Sequence, residues 1–392
     1  MESVLGTRDC YGCGVCAALC TRNAISMRLN SSGFFEPIVD GELCVNCGAC
    51  AEVCSYRSGT VEQDKSFDIC CFAGWSRDSV VRKACSSGGV SFEIARFLIK
   101  KEYEAIVCWY NPKKRQAEHY LAKTEEDLKL SIGSKYLPSD TYAGFSRLQR
   151  GKKYLVVGTP CQIDSIRRWV RKWNMDDSVI LLDFFCHGVP SLLMWDKYLS
   201  EVEKKIGGID QIVWRDKSSG WHDSWVMKAG ERYASKYSDG DLFYRMFLKN
   251  RCLAEPCYEK CKYKELKSAA DIRIGDLWGS KFSWNEDGVN GVVGLTREGL
   301  ELLRLMDGVL YLEPMTAEVV CESQMKKCAN RPISYGYVMR SLHSKQTLEK
   351  IDRKATLIEQ IEEIPRRVRY YAFRFPKKVK ELLKGHAKSM RP

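Results

Sequence analysis

Cys10–Cys20 reads CYGCGVCAALC, and Cys44–Cys54 reads CVNCGACAEVC. Both runs space their cysteines as C-x2-C-x2-C-x3-C, and each cysteine of the second run stands 34 residues after its counterpart in the first. The runs are therefore an internal duplication, echoed in GCGVC against NCGAC. Between them AISMRLNSSGFFEPIVD (24–40) alternates apolar and polar residues around Ser-Ser-Gly, the pattern of a short hairpin.

The rest of the composition is ordinary. The chain has 392 residues, 45% hydrophobic and 29% charged, a globular balance with room for two or three domains. No stretch approaches eighteen consecutive apolar residues, so no helix is expected to span a membrane. The first residues, MESVLGTRDC, carry neither a basic region nor an apolar core of a secretory leader, and a cytoplasmic location is expected. The net charge is +12, but Ile364–Pro392 holds ten Lys or Arg against one acid, so the body is nearly neutral and the tail basic. Nineteen cysteines are the anomaly, and eight of them lie in the two quoted runs. An odd count in a long chain expected in the cytoplasm argues for ligands rather than disulfides.

Two runs of this spacing are the ligand pattern of a dicluster bacterial ferredoxin. Three thiolates of a run wrap one corner of a 4Fe-4S cube, and the fourth, at the start of a helical turn, reaches the other cube. One cluster is then expected on Cys10, Cys13, Cys16 and Cys54, the other on Cys44, Cys47, Cys50 and Cys20. Structural zinc sites use two cysteine pairs across a longer spacer and fit this pattern poorly. The proline that usually follows the fourth cysteine is Thr21 in one run and Ser55 in the other.

After a polar linker at 56–66, short apolar strand-like runs alternate with helical stretches. They are EAIVCWY (104–110), KYLVVGT (153–159), VILLDFFC (179–186), DIRIGDLWG (271–279) and NGVVGLT (290–296). This reads as α/β units with functional loops at strand ends. Four junctions carry chemistry. In ACSSGGV, Ser86, Ser87, Gly88 and Gly89 precede an amphipathic helix and suit either a phosphate cradle or a plain cap. In GTPCQI, Cys161 falls in the first turn of a helix, as a ligating thiolate or as packing. In FFCHGVPS, Cys186 and His187 end a strand. In IGDLWGS, Asp276 ends a strand beside Trp278. Nearby, IGSKYLPS offers Lys135, Tyr136 and Ser139 to a phosphate or a flavin edge, or is a solvated loop.

A third cysteine group, NRCLAEPCYEKCKY, places Cys252, Cys257 and Cys261 as C-x4-C-x3-C. A third 4Fe-4S cluster with Cys161 or Cys186 as fourth ligand is one reading. Zinc held by these three with His187 is the other.

These junctions, in this order behind the duplicated head, resemble the beta subunit family of coenzyme F-420 hydrogenase/dehydrogenase, from about Cys10 to Leu305. The resemblance implies an α+β chain: an N-terminal dicluster ferredoxin domain followed by an α/β flavin-binding body. It implies FAD, with Ser86–Gly89, Lys135, Gly158, Thr159 and Pro160 as contacts, and a third cluster on Cys252, Cys257 and Cys261. The division expected is 1–60, the ferredoxin domain; 67–165 and 166–312, the two parts of the body; 313–363, a helical extension; and 364–392, the basic aromatic tail.

The activity implied is an oxidoreductase that passes electrons from the ferredoxin clusters through a further cluster to FAD. The acceptor is then a coenzyme F-420-type deazaflavin or another small molecule, family members in polysaccharide biosynthesis included. A flavin converts single electrons into hydride; His187 and Asp276 are the expected proton-handling or ring-orienting residues. The competing reading is an electron-transfer subunit that serves a redox partner protein and has no substrate of its own. A third, glycan binding through the many Trp and Tyr, is weaker, because most such residues are core aromatics. The segment 347–363 has the look of an amphipathic helix. Beyond it, cations interleaved with Tyr370, Tyr371, Phe373 and Phe375 suit an anionic membrane surface at the inner face of the membrane, or a solvated or partner-docking tail. Nucleic acid is disfavoured because no binding fold accompanies the charge.

Overall fold

The computed structural model describes all residues except 1, 2, 5, 65, 323, 325 and 375–392, and of 363–374 it describes the backbone alone. The basic tail expected to meet a membrane therefore lies outside the described residues, apart from a helical backbone that continues to Arg374.

The duplicated head folds around the hairpin its alternation requires. Strands β1 (Ile25–Leu29) and β2 (Phe35–Val39) pair antiparallel, with Leu29 opposite Phe35 across the turn. Each cysteine run contributes one helical turn, Val15–Ala18 and Ala49–Glu52. The fourth cysteine was expected to start such a turn; instead the third, Cys16 or Cys50, lies within it, and Cys20 and Cys54 follow the turn's end. The reason lies in Gly14 and Gly48, which cap the turns at φ 72° and 79°. Only glycine takes that conformation without strain, so the helix starts one residue before the third cysteine. The apolar residues Val15, Leu19 and Val53 face the body and join its core beside Ile163 and Ile166.

The body is built on a sheet of nine strands. In chain order these are β3 (Cys70–Ser76), β4 (Glu104–Asn111), β5 (Gln116–Ala122), β6 (Ser139–Asp140), β7 (Tyr154–Val157) and β8 (Val179–Phe184). A small sheet, β9 (Ile212–Val213), β10 (Val226–Ala229) and β11 (Tyr233–Lys236), intervenes before β12 (Ile272–Asp276), β13 (Asn290–Gly294) and β14 (Leu310–Met315) complete the large one. The order is β14-β3-β13-β12-β8-β7-β4-β5-β6. Strands β4, β7, β8 and β12 are mutually parallel. Strand β13 runs against both β12 and β3, so β3 ends on the same edge as those four. The five apolar runs singled out in the sequence are β4, β7, β8, β12 and β13. Strand β14 extends the sheet to Met315, so the boundary expected at 312/313 falls inside a strand.

Alternate residues feed opposite faces, as the pleat demands. Ala105, Val107 and Leu155 meet the helices Val90–Ile99 and Arg297–Leu305 on one face. Ile106, Tyr154 and Val156 meet the helix Pro160–Lys172 on the other, where the ferredoxin head is seated. A third core gathers the helices Leu192–Ile206, Leu242–Leu248 and Tyr335–Leu342, the small sheet and the start of the helix Leu348–Arg374. Arg251, fully buried, fastens that last helix through Asp352 at 2.6 Å and through Glu359. Among the described residues no helix is long and apolar enough to cross a membrane.

Candidate functional site: a line of thiols to the strand ends

Crossing of the two runs is visible in the head. Cys10, Cys13 and Cys16 line one small cavity together with Cys54 of the second run, Tyr11 and Ser165. All four thiols lie within electrostatic reach of one another. In the second set, Cys50 lies in reach of Cys47 and packs beside Cys20, while Cys47 is exposed to solvent. Burial pushes the Cys10 thiol up to about 11 and Cys13 to about 12. Thiolates in such a place need compensating positive charge, which an iron–sulfur cube supplies. Among the described residues no three Cys, His, Asp or Glu side chains converge to hold a single metal ion. A cube is met by sulfurs spread around a cavity, and that is the arrangement of Cys10, Cys13, Cys16 and Cys54.

A second group of thiols lies next to the first. Cys161 is within electrostatic reach of Cys13 on one side and of Cys186 and Cys257 on the other. Cys186 and Cys257 each sense Cys261. Burial raises Cys186 to about 11 and Cys257 to about 12. The backbone explains the convergence. Cys161 opens the helix Pro160–Lys172 directly after β7, behind the N-cap Thr159. Cys186 follows β8. Residues 189–191 then pair with 252–254: Ala254 N–H donates to Val189 O at 2.9 Å and Ser191 N–H to Cys252 O at 2.8 Å. Gly188, at φ 155°, sits so close to Leu253 and Cys257 that a Cβ there would come within 2.9 Å of the Leu253 side chain. The ammonium of Lys264 donates to Cys186 O at 2.9 Å, and Arg273, in a fully buried ion pair with Asp183 at 2.6 Å, donates to the carbonyls of Tyr263 and Glu265. These contacts hold the 257–265 segment against the end of β8.

Cys252 stands apart from this group. Its side chain is fully buried in the third core, with its sulfur 4.0 Å from Met246 O. The one nearby charge that acts on it is Arg251. Cys328, not singled out in the sequence, donates from its thiol to Cys261 O at 3.1 Å.

The residues expected to meet a flavin lie on the edge where β3, β4, β7, β8 and β12 end. Ser86 Oγ accepts from Ser134 N–H at 2.9 Å, and the Ser87 hydroxyl donates to Val289 O at 3.0 Å. Gly89 caps the helix Val90–Ile99. Two half-buried ammonium groups flank this loop. Lys135 donates to the carbonyls of Ser131, Ile132 and Gly133, and Lys217 to those of Arg82, Ser87 and Asp287. Burial drops both to about 8. Neither is in an ion pair among the described residues, and each spends its three N–H donors on backbone carbonyls, so both place positive charge beside the loop. Gly158–Pro160 end β7, with Thr159 Oγ1 3.3 Å from the Cys161 sulfur.

His187 and Asp276 reach the same edge in different states. The His187 ring lies edge-on to Phe247, 4.8 Å between centroids, and burial with Lys264 nearby holds it neutral. Asp276 is paired with Arg215 at 2.8 Å. That guanidinium is fully buried between the rings of Trp225 and Trp278, so the carboxylate serves first as its counter-ion. Arg215 and Lys217 escape sequence reasoning because a lone cation has no local signature.

Comparison with known proteins gives two family matches. Residues 9–58 match the 4Fe-4S dicluster domain. Residues 151–318 match the C terminus of the coenzyme F420 hydrogenase/dehydrogenase beta subunit. No curated protein matches the chain. Among solved structures, one similar chain comes from the F420-reducing [NiFe] hydrogenase complex of Methanosarcina barkeri, at 17% identity and TM-score 0.45, covering 79% of this chain and 95% of that one. The chain thus carries a 4Fe-4S dicluster domain at 9–58 and, at 151–318, a segment similar to the C terminus of the coenzyme F420 hydrogenase/dehydrogenase beta subunit.

Proposed function

We propose that this protein is an iron–sulfur flavoprotein oxidoreductase with three clusters, FAD and a small hydride-accepting substrate of the deazaflavin type. The observation that carries the reading is the unbroken line of thiols from the Cys10/Cys13/Cys16/Cys54 cavity, across Cys161, to Cys186, Cys257 and Cys261 at the strand ends. The iron–sulfur clusters would supply one-electron steps, and FAD would join these to two-electron hydride chemistry. The third cluster is assigned to Cys161, Cys186, Cys257 and Cys261, so both cysteines considered for a fourth ligand are used and Cys252 is left to the core.

The chain's own residues prepare the site. Ser86, Ser87 and the glycines behind them present a loop at a helix start, and Lys135 and Lys217 give it positive charge. Gly158, Thr159 and Pro160 bring the end of β7 against Cys161, so the loop and the thiols share one edge of the sheet. His187, neutral and desolvated, can accept or donate a single proton there. Asp276 orients Arg215, whose flat guanidinium is fixed between two indoles. The partner that delivers electrons is a redox protein, for which the exposed Cys47 end of the head is the accessible entry.

The test is cofactor content after purification without oxygen. About twelve irons and one FAD per chain support three cubes and a flavin. About eight irons without flavin overturn the reading and leave an electron-transfer subunit that relays to a partner.

A further inference from the structure

We propose that Ser165, held in place by the backbone N–H of Ser55, tunes the reduction potential of the cluster on Cys10, Cys13, Cys16 and Cys54 by donating its hydroxyl to the Cys13 sulfur. The inference rests on the dicluster reading of the head and adds a residue of the body to it.

Position 55 is where the dicluster pattern ordinarily has proline, which has no N–H. Here Ser55 N–H donates to Ser165 Oγ at 3.1 Å, and the Ser55 hydroxyl donates to Cys161 O at 2.9 Å. Ser165 Oγ lies 2.8 Å from Ser55 Oγ and 3.5 Å from Cys13 Sγ. Both serines are fully buried.

With Cys13 as a free thiol, its S–H donates to Ser165 Oγ and Ser165 donates to Ser55 Oγ; ligation removes the Cys13 proton and leaves the sulfur an acceptor. The Ser55 hydroxyl is committed to Cys161 O, and Ser165 receives the Ser55 N–H. The single Ser165 proton then chooses between a neutral hydroxyl and the Cys13 sulfur. When Cys13 is a cluster ligand its sulfur carries negative charge and is the stronger acceptor. A hydrogen bond to a cluster sulfur favours the more negative, reduced state and raises the potential. The second cluster has no counterpart of this arrangement: the residue after Cys20 is Thr21, which is exposed. The same bridge ties the ferredoxin cavity to the helix turn bearing Cys161, four residues before Ser165.

The experiment is an EPR-monitored reductive titration of the whole purified protein, with iron counted in every sample. Ser165→Ala is expected to keep its iron and to move one 4Fe-4S wave to lower potential by about 59 mV, a tenfold change in a one-electron equilibrium. The other waves should stay in place. Ser55→Pro, which keeps the Ser165 hydroxyl but removes the N–H that holds it, should move the same wave in the same direction. Ser165→Thr should restore it. Wild-type iron with every wave unmoved in Ser165→Ala overturns the proposal. If Ser165→Ala loses iron, Ser55→Pro decides by whether that wave shifts; iron loss from all three variants marks the pair as structural only and also overturns it. Absence of iron from the unmodified protein would instead defeat the dicluster reading itself.

Discussion

Cys252 and Cys257 are separated by five positions and by the whole argument about the third cluster, so the pair makes a sharp experiment. Cys257 faces Cys186 and Cys261, whereas Cys252 faces the third core, its sulfur 4.0 Å from a backbone carbonyl of Met246. Cys257→Ala should remove one ligand of the proposed cube and with it about four of twelve irons. Cys161→Ala and Cys186→Ala should do the same. Cys252→Ala deletes one sulfur from a fully buried site. The void is small, and the expected cost is about 1 kcal/mol, near the centre of the range for point substitutions. Iron and labile sulfide counts on anaerobic protein, with thermal unfolding run in parallel, separate the two effects. Loss of about four irons from Cys252→Ala, with none lost from Cys161→Ala or Cys186→Ala, would refute the four-thiol assignment.

Three further outcomes are expected. Arg251→Ala leaves the buried carboxylate of Asp352 to Arg245 alone and Glu359 to the Ser334 hydroxyl; unfolding should become easier by about 1.5–3 kcal/mol, and an unchanged midpoint in thermal or urea denaturation would contradict this. His119 is buried with Nε2 3.1 Å from Val157 O, and burial lowers it from 6.5 to about 4. The unfolded chain therefore takes up a proton below pH 6.5 that the folded chain refuses until about 4. Stability should fall by about 3 kcal/mol across that window on acidification, and His119→Gln should remove this part of the slope; equal slopes in the two proteins would show the imidazole to be uninvolved. Lys217→Met removes two contacts to the 82–87 segment and the one that ties it to Asp287. Flavin recovered after gel filtration should drop at least tenfold while iron stays constant, and full flavin retention would exclude Lys217 from the cradle.

Much of the molecule was legible because its signals are local. The cysteine spacing and the alternation of 24–40 announced the head, and five apolar runs announced five of the nine strands in the large sheet. The others were hidden for physical reasons. Strand β3, CCFAGWS, has no β-branched residue, and β14 carries Pro314 on an edge where proline is tolerated. Their pairing brings 70–76 against 290–294 and 310–315, a separation that no periodicity encodes. The site divides along the same line. Spacing alone groups Cys252 with Cys257 and Cys261, but pairing of 252–254 with 189–191 leaves Cys252 facing inward. Ser165, Arg215, Lys217 and Cys328 acquire meaning from partners far along the chain, as between Arg215 and Asp276, 61 positions apart.

The helix Pro160–Lys172 shows why the head and the body act as one device. Its ferredoxin-facing side places Cys161, Ser165, Arg168 and Lys172 at successive turns. Ser165 meets Ser55 and Cys13, Arg168 pairs with Glu62 at 3.1 Å, and Lys172 pairs with Glu52. Asp164, paired with Arg168 at 3.2 Å, accepts from the Tyr263 hydroxyl at 2.7 Å, and Arg167 pairs with Asp271 at 2.7 Å. One rigid element thus touches the loops of both thiol groups. The distance between them is set by a helix rather than by the 56–66 linker. A ferredoxin that docks by diffusion must find its partner at each turnover and lose orientation in between. Here that orientation is folded in, and loosening the helix should slow electron passage between the two groups even when every cysteine keeps its iron.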